Sequence, residues 1–153
     1  MTDPFHRKLH HVMPAGLSGD TAQSSGMRRL EAISGKSVGA RQLWMGETHV
    51  AASTASANHH HGESETAIYV VSGHPEFVFA ETVDPEGPGG ADAGMREVRL
   101  RTGPGDYIFV PPFVPHREEN PDPEREAVVV IARSTQDAIV VNLPELFALR
   151  PDA

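Results

Sequence analysis

Glycine and proline break this chain too often for long helices. Fourteen Gly and thirteen Pro recur along 153 residues, mostly between short apolar or β-branched runs. Proline cannot donate to a ladder and glycine tolerates turn geometry, so such punctuation predicts many short strands. Strands are expected near 29–33, 40–51, 57–61, 66–72, 76–82, 95–101, 106–110, 114–119, 126–133 and 138–142. Ser34-Gly35-Lys36, Ser72-Gly73-His74-Pro75 and Thr102-Gly103-Pro104-Gly105 read as turns. Asp84 to Gly94 is rich in Gly and Pro and reads as a mobile hairpin loop. The fold class expected is all-β, a closed double-sheet jelly-roll barrel. One domain accounts for the length. A flexible arm is expected over 1–27, the barrel over 28–143 and a tail over 144–153, with a helical turn within Pro144–Leu149.

Charge and composition exclude several partners. The net charge of −8 argues against a nucleic-acid or anionic-membrane surface, since such surfaces need clustered Lys and Arg. There is no cysteine, so neither disulfides nor thiolate ligands are available, which fits a reducing cytoplasm. No apolar run reaches the length of a membrane span, and the first residues lack the apolar core of a signal peptide.

The chemistry lies in histidine. The segment Asn58-His59-His60-His61-Gly62-Glu63-Ser64-Glu65 is followed much later by His116. Alternate side chains of an extended strand share a face, so His59 and His61 point one way and His60 the other. Three neutral imidazoles meeting from two chain segments are a donor set for a divalent transition metal. Free histidine titrates near ~6.5, so metal is expected to leave as pH drops through about 6 to 5. His6, His10 and His11 lie in the expected arm and read as solvated, as do His49 and His74 elsewhere. Glu118 and Glu119 read as a solvated strand edge, and Asn120 as a tie for the turn after His116. Trp44, Tyr69, Phe77, Tyr107 and Phe109 are expected in the core, with some walling a pocket.

These spacings resemble the paired motifs of the cupin superfamily. The first, G-x5-H-x-H-x3,4-E-x6-G, is matched by Ser53, His59, His61, Glu65 and Gly73. The second, G-x5-P-x-G-x2-H-x3-N, is matched by Gly105, Pro111, Phe113, His116 and Asn120. Ser53 and Phe113 stand where the family has Gly. The likeness covers roughly residues 29–142. It implies a double-stranded β-helix holding one divalent ion (Fe, Mn, Ni, Cu or Zn) on His59, His61 and His116. Glu65 is the fourth ligand if counted forward from His61. Counted back from Gly73, the same position falls on Thr66. Either a bulge turns Glu65 inward, or Thr66 faces inward and three histidines act alone. His60 and Thr66 are placed around the site rather than on the metal. The resemblance implies a metal-dependent enzyme acting on a small organic molecule, by oxygenation or by Lewis-acid isomerisation or cyclisation. The alternative is a non-catalytic sensor or storage protein. A homodimer is the expected assembly.

Overall fold

The computed structural model describes residues 8–82 and 95–146, and they form two antiparallel sheets. Eleven strands occur in chain order among these residues: β1 (Met27–Ile33), β2 (Trp44–Val50), β3 (Thr54–Ala55), β4 (His59–His60), β5 (Thr66–Ser72), β6 (Glu76–Thr82), β7 (Met95–Arg101), β8 (Tyr107–Val110), β9 (His116–Asn120), β10 (Ala127–Arg133) and β11 (Val141–Asn142). One sheet runs β1-β2-β10-β5-β8. The other runs β11-β4-β9-β6-β7, with β3 beside β9. The expected loop Asp84–Gly94, His6 and residues 147–149 of the expected helical turn lie outside the described residues.

Period-2 alternation decides the core. On β2 and β10, Trp44, Gly46, Thr48 and Val50 lie level with Arg133, Ile131, Val129 and Ala127. On β5, Thr66, Ile68 and Val70 are buried while Ala67, Tyr69 and Val71 are exposed. The central cluster is Ile68, Val70, Phe77, Val110 and Val129, and a second cluster is Met27, Val50 and Ala127. Each fully buried aliphatic contributes roughly 1.5–3 kcal/mol, and this packing holds the two sheets together.

Several expectations shift. Tyr69, Tyr107 and Phe109 are not core residues: Tyr107 is 81% exposed and Phe109 57%. Tyr69 and Tyr107 occupy outward positions of β5 and the edge strand β8, their rings tilted with centroids 4.9 Å apart, and Phe109, two residues on in β8, also lines the apolar cavity beside His116. Trp44 and Phe77 are buried. The runs expected at 57–61 and 138–142 shrink to two residues each, which pair with one another. The turn at Ser34 becomes a single helical turn, Gly35–Val38, closed by reciprocal hydrogen bonds between Ser34 and Ser37. The arm is partly structured. His10 and His11 are exposed, but Ser18 exchanges backbone hydrogen bonds with Glu31. Gln23 brackets Arg29, accepting from its N–H at 2.7 Å and donating to its carbonyl at 2.8 Å.

The two positions at which the chain departs from the glycine pattern keep glycine geometry. Ser53 has φ 52° and Phe113 φ 63°, the two non-glycine residues with positive φ among those described. The prolines around Phe113 do not remove the need for a left-handed turn. They surround a residue that adopts it with a side chain in place. At Gly73 (φ 82°) the conformation is reinforced by crowding, because a Cβ would lie 2.8 Å from the Ala127 Cα. A non-glycine residue in this region costs roughly 1–2 kcal/mol, and glycine's greater freedom when unfolded offsets roughly half of that. Ser53→Gly is therefore expected to stabilise the protein by up to about 1 kcal/mol. A denaturant midpoint equal to or below wild type would refute that strain.

Candidate metal centre

The pairing of β4 with β9 sets His59 directly opposite His116. His61 follows two residues after His59, on the same face, and the three rings come within 4.5–4.9 Å of one another, centroid to centroid. Their ligand nitrogens all lie within 4.8 Å of one another. Each Nδ1 faces a backbone carbonyl: Ala57 O at 2.7 Å for His59, Ile139 O at 2.9 Å for His61 and Val114 O at 2.9 Å for His116. A carbonyl only accepts, so each Nδ1 carries the proton and each Nε2 is left with a free lone pair. Fixing the ring through its other nitrogen is how metal-binding histidines are oriented. The Nε2 of His116 is fully buried and has no hydrogen-bond partner, an uncompensated polar atom at the centre of the cluster. A divalent ion meets that need, so the donor set fits a metal of the Zn or Fe type.

Electrostatics keep His61 and His116 neutral. Burial, assisted by the neighbouring histidines, lowers His61 to about 4, against the opposing pull of its hydrogen bond to Ile139. Burial and then His59 lower His116 to about 4. Neutral imidazole is the ligand form.

The remaining expected site residues divide clearly. Glu65 is exposed and stands apart from the histidine cluster, whereas Thr66 is buried and lines the adjoining cavity. The strand β5 enters without a bulge at Thr66, so period 2 sends Glu65 outward. Its backbone N–H binds Ser134 Oγ at 2.9 Å. His60 is buried but turned away from the triad. It packs on Phe113 and accepts from the Gly62 N–H at 2.9 Å. Glu119 is bound to Arg99 at 2.6 Å, within an ion-pair ladder linking β7, β6 and β9. Asn120 is buried and donates to the carbonyls of Val50, Ala51 and Arg125, tying the end of β9 to two turns. His49 bridges Glu47 and Glu126, away from the triad.

The histidines lie between two cavities. One, of about 290 Å³, is walled by His59, His61, Thr66 and Glu118, together with Arg29, Arg133 and residues 22–24 of the folded-back arm. The other, of about 410 Å³, is almost wholly apolar and meets His116 through Phe77, Phe79 and Val114. Glu118, read from the sequence as part of a solvated strand edge, is instead half-buried and lines this cavity, and Arg29 and Arg133 were not singled out at all, although alternation carries the signal. Glu118 is two residues from His116, and Arg133 continues the inward series Ala127, Val129, Ile131.

No family model and no curated protein matches this sequence. Solved structures do. The polyketide cyclase RemF from Streptomyces resistomycificus superposes with a TM-score of 0.64 at 22% identity, over 91% of this chain and 89% of its own. A double-stranded β-helix protein from Klebsiella pneumoniae gives a TM-score of 0.56 at 14% identity, over 82% and 90%. An S161A mutant of Bacillus subtilis oxalate decarboxylase gives a TM-score of 0.60 at 19% identity, with 80% of this chain matching 29% of that one. The chain has the fold of the cupin superfamily. Identities this low carry the fold of a cupin and leave its activity to be argued from the site.

Two outcomes are expected. His116→Ala should lose most bound metal and, at metal concentrations of 100 to 1,000 times Kd, about 3–4 kcal/mol of ligand-linked stability, while Glu65→Gln leaves metal content unchanged. Elemental analysis of both variants checks this, and metal loss in Glu65→Gln would restore that residue as a ligand. The second outcome concerns pH. Unfolded histidine takes a proton near ~6.5, whereas His61 and His116 resist it down to about 4. The unfolded state thus binds more protons in that window, and metal-free stability should fall as pH drops from about 6.5 to 4. Metal should persist below the 6-to-5 window expected of free histidine. Thermal melts across pH, with and without zinc, test both trends.

Proposed function

We propose that this cupin binds one divalent metal through His59, His61 and His116 and is an enzyme acting on a small organic molecule held in the 290 Å³ cavity. The observation that carries this reading is the buried, unpartnered His116 Nε2 beside two further histidines with the same locked tautomer. Three protein nitrogens leave coordination positions open, which is the donor set of a catalytic rather than a structural site. A bound divalent ion would supply Lewis acidity toward a substrate carbonyl or enol oxygen, undiminished by any anionic ligand. Lewis-acid chemistry of the isomerase or cyclase kind is therefore the reading favoured here, and the near full-length likeness to a polyketide cyclase supports it.

The chain's own residues do the rest. The three Nδ1–H bonds to carbonyls hold the rings in place without reorganisation. Glu118 faces the same cavity on the strand that carries His116, its charge acts on His61, and its carboxylate has no hydrogen bond among the described residues. It is placed to accept or return a proton of the substrate. Residues 22–24 roof the cavity and limit water.

A second reading, oxygenation with a redox-active metal, uses the same ligands. The Mn(II) centres of the oxalate decarboxylase of Bacillus subtilis, a protein of the same fold, support a redox-active metal. Metal identity after purification separates the two: zinc favours Lewis-acid chemistry, and iron or manganese with oxygen uptake favours oxygenation. An isolated protein that binds no metal would support a sensor or storage role instead. In either enzymatic reading, Glu118→Gln should lower kcat by about 10²-fold or more while metal content stays at wild type. Full activity in that variant would remove Glu118 from the mechanism.

A homodimer and a cytoplasmic location belong to this proposal. The exposed Tyr107 and Phe109 on the edge strand β8, with Tyr69 beside them on β5, support self-association, and the cysteine-free sequence supports a reducing compartment. Among the described residues no helix is long and apolar enough to cross a membrane.

A further inference from the structure

Arginines in this chain usually have carboxylate partners or stand in solvent. Arg96, Arg99, Arg101 and Arg117 pair with glutamates, and Arg28, Arg41 and Arg125 are exposed. Arg29 and Arg133 do neither. Both are half-buried, both wall the cavity that holds His59 and His61, and neither forms an ion pair among the described residues.

Arg133 is held rigidly. Its guanidinium lies 4.1 Å over the Trp44 ring, its Nε donates to Thr135 O at 3.1 Å and its Nη2 to Gln136 O at 2.9 Å. Its Nη1 has no hydrogen bond among the described residues. Trp44 can lie flat here because Gly46, two residues on, has no side chain: a Cβ there would come 2.8 Å from the Trp44 ring. Arg29 is fixed by Ser24, which accepts from its Nη1 at 2.7 Å. Glu31 is the buried carboxylate of the same sheet face, but the Trp44 Nε1–H binds it at 2.9 Å and Lys36 lies 3.7 Å from it. Burial, and then the charge of Arg29, push the Arg133 guanidinium below its ordinary value, against the opposing pull of Glu31 and Asp137. The fold keeps two like charges on the wall of one cavity with no direct ion pair to either among the described residues, and Glu118 is the carboxylate that shares the cavity lining. An anion entering the cavity would relieve the repulsion between them.

We infer that Arg29 and Arg133 form a carboxylate-binding site on the wall of the cavity opposite the histidines, and that the substrate is a small organic acid. The inference rests on the proposed function only in taking this cavity as the substrate chamber. The arginines stand on β1 and β10 of one sheet, and the histidine pair lies across β4 and β9 of the other. A bound acid would therefore span from one sheet to the other, its carboxylate at the guanidinium forks and an oxygen donor toward the histidines. Met27, Ile131 and Ile139 line the space between, so its body is apolar. A cavity of about 290 Å³ is at the small end of ligand sites, sized for a metabolite rather than a polymer. Planar forks favour carboxylate, which accepts two parallel hydrogen bonds.

The test uses benzoate as the probe, with benzamide as its neutral counterpart and inorganic phosphate as a competing anion. Trp44 is the sole tryptophan and lies under Arg133, so its emission reports occupancy without any assay of activity. Titration of the zinc-loaded protein should give saturable benzoate binding, at least tenfold weaker binding of benzamide and phosphate, and at least tenfold weaker benzoate binding in Arg133→Gln and in Arg29→Gln. Zinc content should not change in either variant. Arg133→Gln also gives up its contact with Trp44 and two bonds to carbonyls, so its melting temperature should fall, whereas Arg29→Gln gives up one bond to Ser24 and should melt near wild type; in both, a merely structural arginine would leave benzoate affinity alone. If Arg133→Gln fails to fold, Arg29→Gln decides. His116→Ala separates this proposal from the metal reading, since a carboxylate site on the arginines keeps its benzoate response when metal is lost. Unchanged affinity in the arginine variants, a benzoate response that requires metal, or phosphate binding tighter than benzoate would overturn it.

Discussion

The register of His59 against His116 is the constraint on which the site depends. β4 is only two residues long and cannot hold itself in place. Its position comes from β9, which the buried Asn120 anchors by donating to the carbonyls of Val50, Ala51 and Arg125. A slip of one residue would turn His59 and His61 away from His116 and bring His60 in, because side-chain direction reverses at every step of a strand. The pairs Thr54–Asn120 and Ala55–Glu119 on β3 fix the same register from the other end. A short strand between two such ties is a precise holder for side chains that must converge on one point.

The two sheets contribute different chemistry to one cavity. The six-stranded sheet brings histidines whose neutral form is protected by burial, together with Glu118. The five-stranded sheet brings cations held by an aromatic ring and by backbone carbonyls. Their outer faces differ as well. Beyond β9, β6 and β7 the surface is a ladder of arginine–glutamate pairs, while beyond β5 and β8 it is tyrosine, valine and phenylalanine. Individual surface ion pairs contribute little to stability, roughly 0–1 kcal/mol, and the ladder acts mainly to keep that face solvated and unattractive to another sheet.

Ser53 and Phe113 hold left-handed turn geometry with side chains in place, at φ 52° and 63°. At Phe113 the side chain is not idle, since its ring covers His60, while its N–H binds the Gly62 carbonyl at 2.8 Å. Local strain at this turn is thus coupled to the segment that carries His61.

The sequence by itself determined the all-β class, most strand positions and the three histidines, because glycine–proline punctuation and i, i+2 spacing are local signals that survive without neighbours. β5, β6 and β7 lie where alternation and turn residues place them. Tertiary structure decided the rest. Residues 67–71 are too uniformly apolar to reveal which face is inward, so the choice between Glu65 and Thr66 waited on the pairing of β5 with β10 and β8. Tyr107 and Phe109 read as core by residue type, yet exposure depends on whether another layer lies above a strand, and β8 is an edge. Arg29, Arg133 and Glu118 gave no motif. A charge acquires a role only when folding brings it to a wall shared with residues far away in the chain, and that convergence is a property of sheet order and register rather than of any local run of residues.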